Sequence, residues 1–157
     1  MGCDIHIRFE VKKDGVWTYN PYEMKHFRNY DIFAILAGVR GPGPKITKQG
    51  LRGLPQDIDP KTLIDEGNNG DYDPVSAENW YNWQHSITWY TLAEILKYFD
   101  VSDETWGKKV RLQKERIEEI EELGLDWFDD AIKQAVTDLV GHTGSAKDVR
   151  MIFGFDS

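Results

Sequence analysis

Acidic and imidazole side chains alternate with apolar residues at the beginning of the chain. From residue 3 to residue 12 the odd positions are apolar and the even positions are polar or charged, which is the period of two of a β-strand. One face of this strand would carry Asp4, His6 and Glu10, with successive side chains about 6–7 Å apart. These side chains can bind a ligand, exchange protons or form the solvated face of a sheet.

Two further residues extend this set, His85 in the middle of the chain and Asp156 near its end. Carboxylates and imidazoles are ligands of zinc and manganese, so Asp4, His6, His85 and Asp156 form an alternative metal site for a metal-dependent hydrolase. The sequence has no His-Glu-x-x-His or paired-cysteine motif that would favour such a site. We therefore expect no bound cofactor, with zinc or manganese as the alternative.

Three arginines, Arg28, Arg40 and Arg52, lie next to glycine, aromatic or loop residues. The planar guanidinium group suits phosphate and carboxylate groups, and a tryptophan such as Trp83 or Trp89 can stack on a base. These residues favour a pocket for a small anionic or nucleotide-like ligand. The simpler alternative is that each arginine pairs with one of the surplus acids. The full ligand-binding set that we predict is Asp4, His6, Glu10, Arg28, Arg40, Arg52, His85, Trp89 and Asp156.

Length and charge exclude several functional classes. The chain has 157 residues, which favours a single domain, and its formal net charge of -8 argues against binding nucleic acid over a broad surface. A single cysteine, Cys3, excludes an intrachain disulfide and fits a reducing compartment. No apolar run is long enough for a membrane span, and the first residues do not form an apolar signal core. We expect a cytoplasmic protein that does not bind membranes.

An acidic run at 115–122 raises a third possibility, an inhibitor that binds a host protein through acidic helices. Lysines and arginines within and just before this run weaken that hypothesis, because mixed charges are typical of a solvated helix.

The remaining elements predict an α+β domain. Strands are expected at 3–13, 16–19 and 149–156, and the last is apolar on both faces, as in a central strand. Helices are expected at 30–37 between the caps Asn29 and Gly38, from Asp59-Pro60 to about 67, at 92–99 after a Thr91–Glu94 capping box, at 104–123, and from a cap at Asp126 to 140. A Gly- and Pro-rich loop fills 39–60. The expected architecture is a small, mainly antiparallel sheet that pairs the N- and C-terminal strands, with helices on one face and a charged helical segment at about 100–142.

Several strings also resemble a family of small uncharacterised proteins from bacteriophage and prophage genomes. They are Gly2-Cys3-Asp4-Ile5-His6, Arg28-Asn29-Tyr30-Asp31-Ile32-Phe33, Leu36-Ala37-Gly38-Val39-Arg40, Arg52-Gly53-Leu54-Pro55 with Asp57, His85-Ser86 with Trp89-Tyr90-Thr91-Leu92, and Phe153 with Phe155-Asp156. The likeness covers most of the chain outside about 100–145. Ile87-Thr88 departs from it, because a second histidine or a small residue with serine is often found there. The resemblance implies a phage-type accessory protein in the host cytoplasm, and it supplies no reaction.

Overall fold

The structure is a computed structural model that describes residues 2–47, 49–64, 81, 84–99 and 125–156. Its strands are β1 (Asp4–Lys13), β2 (Val16–Asn20), β3 (His85–Thr91) and β4 (Val149–Asp156), and its helices are α1 (Tyr30–Ala37), α2 (Leu92–Phe99) and α3 (Asp126–Val140). The predicted helix at 104–123, the acidic run at 115–122 and Trp83 lie outside the described residues.

The four strands form one antiparallel sheet in the order β2-β1-β4-β3. The predicted α+β class and the pairing of the N- and C-terminal strands are confirmed, with Asp4 opposite Asp156 and Val11 opposite Val149. β4 has a neighbour on each side, and all its residues from Val149 to Phe155 are buried. This explains why its sequence lacks the alternation of a half-solvated strand.

The apolar face of the sheet and the three helices share one core. Phe33 of α1 packs edge-on against Phe155 of β4 at 5.1 Å between ring centroids. Phe99 of α2 and Phe128 of α3 make a similar contact at 5.5 Å. All four rings are almost fully excluded from solvent, so their burial is a large stabilising contribution.

Local capping signals place two of the helices. α1 begins after Asn29, whose side chain accepts hydrogen bonds from the backbone N–H groups of Asp31 and Ile32, and it ends at Gly38 in the left-handed conformation. α2 begins after Thr91, which exchanges side-chain and backbone hydrogen bonds with Glu94 as the capping box predicts.

The predicted cap of α3 at Asp126 is wrong by one residue. Asp126 is the first helical residue, and the capping position is Leu125, without a side-chain hydrogen bond to the backbone. The carbonyl of Leu125 accepts from the N–H of Phe128, and the buried Leu125 side chain belongs to the core. Packing therefore sets this helix start in place of a polar cap.

The second face of the sheet is covered in part by the segment that follows the long loop. Where the sequence predicts a helix from Asp59, the structure has a 3₁₀ turn, Pro60–Leu63, and the Asp59 side chain accepts from the N–H of Lys61. Residues 65–67 of that prediction lie outside the described residues. Asp59 also accepts from the N–H of Tyr19 on β2 at 2.8 Å. Among the residues described, no helix has the length and apolar character needed to span a membrane.

Candidate functional site

A concave pocket of about 320 Å³ opens where β2 stops pairing with β1. β2 pairs only with Phe9–Lys13, so the first half of β1 is flanked by the irregular segment that follows β2. We call this cavity the β1 pocket. It is lined by Ile5, His6, Ile7, Arg8, Tyr19, Asn20, Pro21, Tyr22, Glu23, Met24, Lys25, His26 and Phe27.

The lining of the β1 pocket is basic although the chain is acidic. Arg8 and Lys25 contribute two fixed positive charges, and His6 and His26 contribute two imidazoles. Glu23 is the single carboxylate among the lining residues. Arg8 donates a hydrogen bond to the Tyr19 hydroxyl at 2.9 Å, and its guanidinium carbon lies 5.6 Å from the centre of that ring. The Tyr19 contacts hold Arg8 at the wall of the cavity.

His6 is oriented by a carboxylate from the neighbouring strand. Its Nε2 lies 2.9 Å from Oδ2 of Asp156, and Oδ1 of Asp156 accepts from the N–H of Asp4 at 3.1 Å. The hydrogen bond from His6 lowers the pKa of Asp156, so this carboxylate is ionised near neutral pH and acts only as an acceptor. Nε2 of His6 is therefore the donor in this contact.

His26 has a carboxylate beside it as well. Its Nε2 lies 3.6 Å from Oδ1 of Asp4, and its side chain is mostly exposed. Arg28 binds the same carboxylate in a bidentate manner, because its Nε and Nη2 each donate at 2.9 Å. These contacts link Asp4, His6, Arg28 and Asp156, four of the predicted residues, into one polar cluster beside the β1 pocket.

A second cavity, of about 650 Å³, lies near the opposite end of the polar face. We call it the tryptophan pocket, lined by Trp17, Gln49, Gly50, Leu51, Arg52, Leu54, Pro55, Gln56, Asp57, Trp89 and Arg150. The structure thus brings the predicted Arg52 and Trp89 together, with the guanidinium carbon of Arg52 4.8 Å from the Trp89 ring centre.

The two arginines of the tryptophan pocket are already matched by acids. Arg52 donates to both oxygens of Glu94 at 2.9 and 2.6 Å. Burial acts to raise the pKa of Glu94, but hydrogen bonds from Arg52 and Thr91 outweigh it and the net shift is downward. Arg150 donates to Glu10 at 2.7 Å and to Asp57 at 2.8 Å. An incoming anion would have to displace these carboxylates from Arg52 and Arg150.

Three predicted ligand-binding residues, Glu10, Arg40 and His85, line neither pocket. Glu10 is completely buried and accepts from Arg150, Thr62 and the N–H of Asp59, so it holds the sheet and the covering segment together. Arg40 lies over the ring of Tyr30 at 5.4 Å.

His85 does not meet His6. It pairs with Phe155 in the sheet, whereas His6 pairs with Gly154, so the two imidazoles are directed to opposite faces by strand alternation. His85 contacts the hydroxyl of Ser86 at 2.9 Å and the ring of Phe155 at 6.3 Å between centroids. The alternative metal set of Asp4, His6, His85 and Asp156 is therefore not assembled by this fold.

Within the part of the chain that the structure describes, no group of three or more histidine, cysteine, aspartate or glutamate residues is placed to hold a metal ion. Comparisons with known proteins add no family. No family model, curated protein or solved structure matches the chain. The chemistry of the pockets is therefore the basis for a functional proposal.

Of the residues that line the β1 pocket, sequence reasoning predicted only His6, and it missed the basic residues Arg8, Lys25 and His26. Arg8 was identifiable, because it lies on the same strand face as Asp4 and His6. Lys25 and His26 belong to an irregular stretch without periodicity, so their approach to β1 follows from the path of the chain and has no local sequence signal.

Proposed function

We propose that the protein binds a small anionic ligand with a phosphate group, such as a nucleotide, in the β1 pocket. The observation that carries this proposal is the placement of Arg8, Lys25, His6 and His26 around one cavity with a single lining carboxylate. In a chain with a net charge of -8, this lining has two fixed positive charges, Arg8 and Lys25, and one fixed negative charge, Glu23, which supports binding of an anion.

The size of the cavity supports a small ligand. A volume of about 320 Å³ lies at the lower end of the range for small-molecule sites, and it accommodates a phosphate group with part of a nucleoside. Tyr19 and Tyr22 provide aromatic surface at the wall, which suits a planar base. A duplex would need a far larger basic surface.

The cluster behind the pocket supports a binding role because it fixes the lining groups in advance. Asp156 orients His6, and the Asp4–Arg28 pair is placed beside His26. A binding group that is already held in position loses less conformational entropy when the ligand arrives. The predicted Asp4, Arg28 and Asp156 would then position the contacts without touching the ligand.

A phage-type accessory role in the host cytoplasm is part of this proposal, and it rests on the sequence resemblance. A pocket for a phosphate-bearing metabolite would suit a protein that acts on nucleotide pools. The metal-dependent hydrolase has no supporting observation among the described residues, and the acidic inhibitor hypothesis concerns residues outside them.

Isothermal titration with AMP and with inorganic pyrophosphate tests the proposal. We expect saturable binding that weakens as salt is added, because charge attraction is screened. Arg8→Gln and Lys25→Gln should each weaken it about tenfold or more, as expected for loss of a charge-assisted hydrogen bond. Lys147→Gln is the matched control, because Lys147 is exposed and lines neither pocket. Equal affinity in all variants, or no saturable binding of either probe, would refute the proposal.

A further inference from the structure

The β1 pocket meets β1 along the edge of the strand. Four consecutive residues of β1, from Ile5 to Arg8, line the cavity, although alternate side chains of a strand point to opposite faces. The backbone that joins them therefore borders the cavity. We propose that this edge binds an extended acidic peptide of a partner protein as an additional β-strand. Such binding uses the backbone of β1, so it goes beyond the proposed binding of small anions in the same cavity.

The register of the first hairpin shows where the backbone groups of β1 point. Lys13 and Val16 flank a two-residue turn and form a hydrogen-bonded pair, so every second residue of β1 directs its N–H and C=O groups toward β2. Phe9 is the last of these residues with a partner on β2. The same alternation directs the N–H and C=O groups of Ile5 and Ile7 toward the side on which β2 has ended.

This edge is open because β2 ends early. Continued pairing would place Tyr22 opposite Ile7. Instead Pro21 has no N–H group, and the N–H of Tyr22 donates to the side chain of Asn20 at 3.0 Å. Among the residues that the structure describes, none forms a hydrogen bond with the N–H and C=O groups that Ile5 and Ile7 direct to this side. Two N–H groups and two C=O groups are therefore available to a further strand.

Other edge positions of the sheet have partners within the chain. On β2, the N–H of Tyr19 donates to the carboxylate of Asp59 at 2.8 Å. On β3, the carbonyl of Ile87 accepts from the N–H of Gly53 at 3.1 Å. An open strand edge is a template for pairing with another chain, so proteins cover the edges that do not bind one. The uncovered stretch of β1 is therefore better explained as a binding surface.

The side chains beside this edge favour a peptide in which acidic and apolar residues alternate. His6 and Arg8 lie on the polar face of β1, and residues opposite them on an added strand would lie on the same face. Lys25 adds a second fixed positive charge to the cavity, so acidic residues fit these two positions. The positions opposite Ile5 and Ile7 lie on the apolar face of the sheet, where apolar residues fit.

A second copy of the chain is a poorer occupant of this edge than an acidic peptide. Pairing of two such edges would bring Arg8 and Lys25 of both copies together. Like charges on neighbouring strands destabilise the pair, whereas opposite charges stabilise it. Charge complementarity therefore favours a partner whose strand is acidic.

The experiment uses the full isotope-labelled chain and the peptide acetyl-Glu-Val-Glu-Val-Thr-amide. In an antiparallel arrangement its two valines lie opposite Ile7 and Ile5. We expect saturable binding by isothermal titration, and we expect the bound peptide to slow hydrogen exchange of the N–H groups of Ile5 and Ile7 in NMR spectra. The N–H groups of Phe9 and Val11 are the internal control, because both residues already pair with β2. Absence of binding, or binding without slower exchange at Ile5 and Ile7, would overturn the proposal.

Matched peptides test the backbone and the charge separately. N-methylation of both valines removes the N–H groups that bond to β1 and should weaken binding about tenfold or more. N-methylation of both glutamates should have a much smaller effect, because their N–H groups point away from β1. Replacement of both glutamates by lysine should weaken binding about tenfold or more, because it brings like charges together. Equal binding of the lysine peptide, or equal effects of the two N-methylated peptides, would contradict strand addition.

Titration of AMP and pyrophosphate distinguishes strand addition from the proposed function. Binding of either anion without binding of the peptide would refute strand addition and leave the anion proposal intact. Binding of the peptide without either anion would refute the anion proposal alone. Where both bind, they should compete, because they occupy the same cavity, and simultaneous binding would place the peptide elsewhere. A dimer that slows exchange at Ile5 and Ile7 without peptide would identify a second copy as the occupant and overturn the assignment to an acidic partner.

Discussion

Glu10 and Arg150 face each other across β1 and β4, and at most 1 % of either residue is exposed to solvent. The guanidinium also contacts Asp57 and lies 4.3 Å and 5.2 Å from the ring centres of Trp17 and Trp89. One buried ion pair therefore connects all four strands of the sheet with the segment that covers it. Its hydrogen bonds and ring contacts offset part of the cost of removing both charges from water.

Removal of one member of this pair should destabilise the protein strongly. Arg150→Met leaves the Glu10 carboxylate buried without its charged partner, and we expect a loss of about 3–5 kcal/mol in the free energy of unfolding. Urea denaturation measures this loss. The double variant Glu10→Leu with Arg150→Met removes both charges and should recover part of the stability. A single variant as stable as the wild type would show that the pair contributes little.

The start of α2 should depend on the Thr91 capping box. The Thr91 hydroxyl accepts from the N–H of Glu94, and the Glu94 carboxylate accepts from the N–H of Thr91. Thr91→Ala should lower the free energy of unfolding by about 1 kcal/mol, the usual value of a lost cap. Thr143→Ala, in an exposed turn, is the control for the loss of a threonine hydroxyl. Thermal unfolding should give a lower midpoint for Thr91→Ala than for Thr143→Ala, and identical midpoints would contradict a capping role for Thr91.

Local sequence patterns predicted much of the fold, whereas contacts between residues far apart in the chain were harder to predict. The predictions that depend on neighbouring residues are confirmed. They are the alternating strand after Cys3, the helix caps Asn29 and Gly38, and the central strand β4, which is apolar on both faces. Glu10 looked the same as Asp4 and His6 in the sequence. Its burial depends on the pairing with Arg150, which is 140 residues away in the chain, so no pattern in the neighbouring sequence indicates it.

Gly38 should not tolerate a side chain. Its φ angle of 74° is unfavourable for other residues, and a Cβ atom would lie 2.7 Å from the backbone oxygen of Gly43. Gly38→Ala should therefore lower stability by at least about 1 kcal/mol. Gly50→Ala is a matched control, because its φ is also positive but no atom lies within 4 Å of its Cβ position. If both variants lose the same stability by urea denaturation, the close approach to Gly43 has no effect of its own.

The single acid of the β1 pocket should limit the affinity for anions. Glu23→Gln removes one negative charge from the lining, and we expect AMP to bind a few-fold more tightly at low salt. The gain should shrink when salt is raised, because the charge effect is screened. Isothermal titration at two salt concentrations measures both effects. Asp14→Asn is the control, because Asp14 is exposed and its substitution tests the general effect of net charge. Glu10→Gln would not serve as a control, because Glu10 is buried. A similar gain in AMP affinity for Glu23→Gln and Asp14→Asn would mean that Glu23 acts through the net charge and not through its position in the β1 pocket.

The bond between His6 and Asp156 should contribute to stability in a pH-dependent manner. Hydrogen bonding by His6 lowers the pKa of Asp156 below its ordinary value of 3.8, so the folded state favours the ionised carboxylate. This contribution is therefore fully present above about pH 5 and is lost as the pH falls below 3.8 through the folded pKa. His6→Ala should lower stability at pH 6, and its difference from the wild type should shrink toward pH 3. Urea denaturation across this range, with His142→Ala as the control, measures the trend. A difference that stays constant down to pH 3 would mean that Asp156 gains no stabilisation from His6.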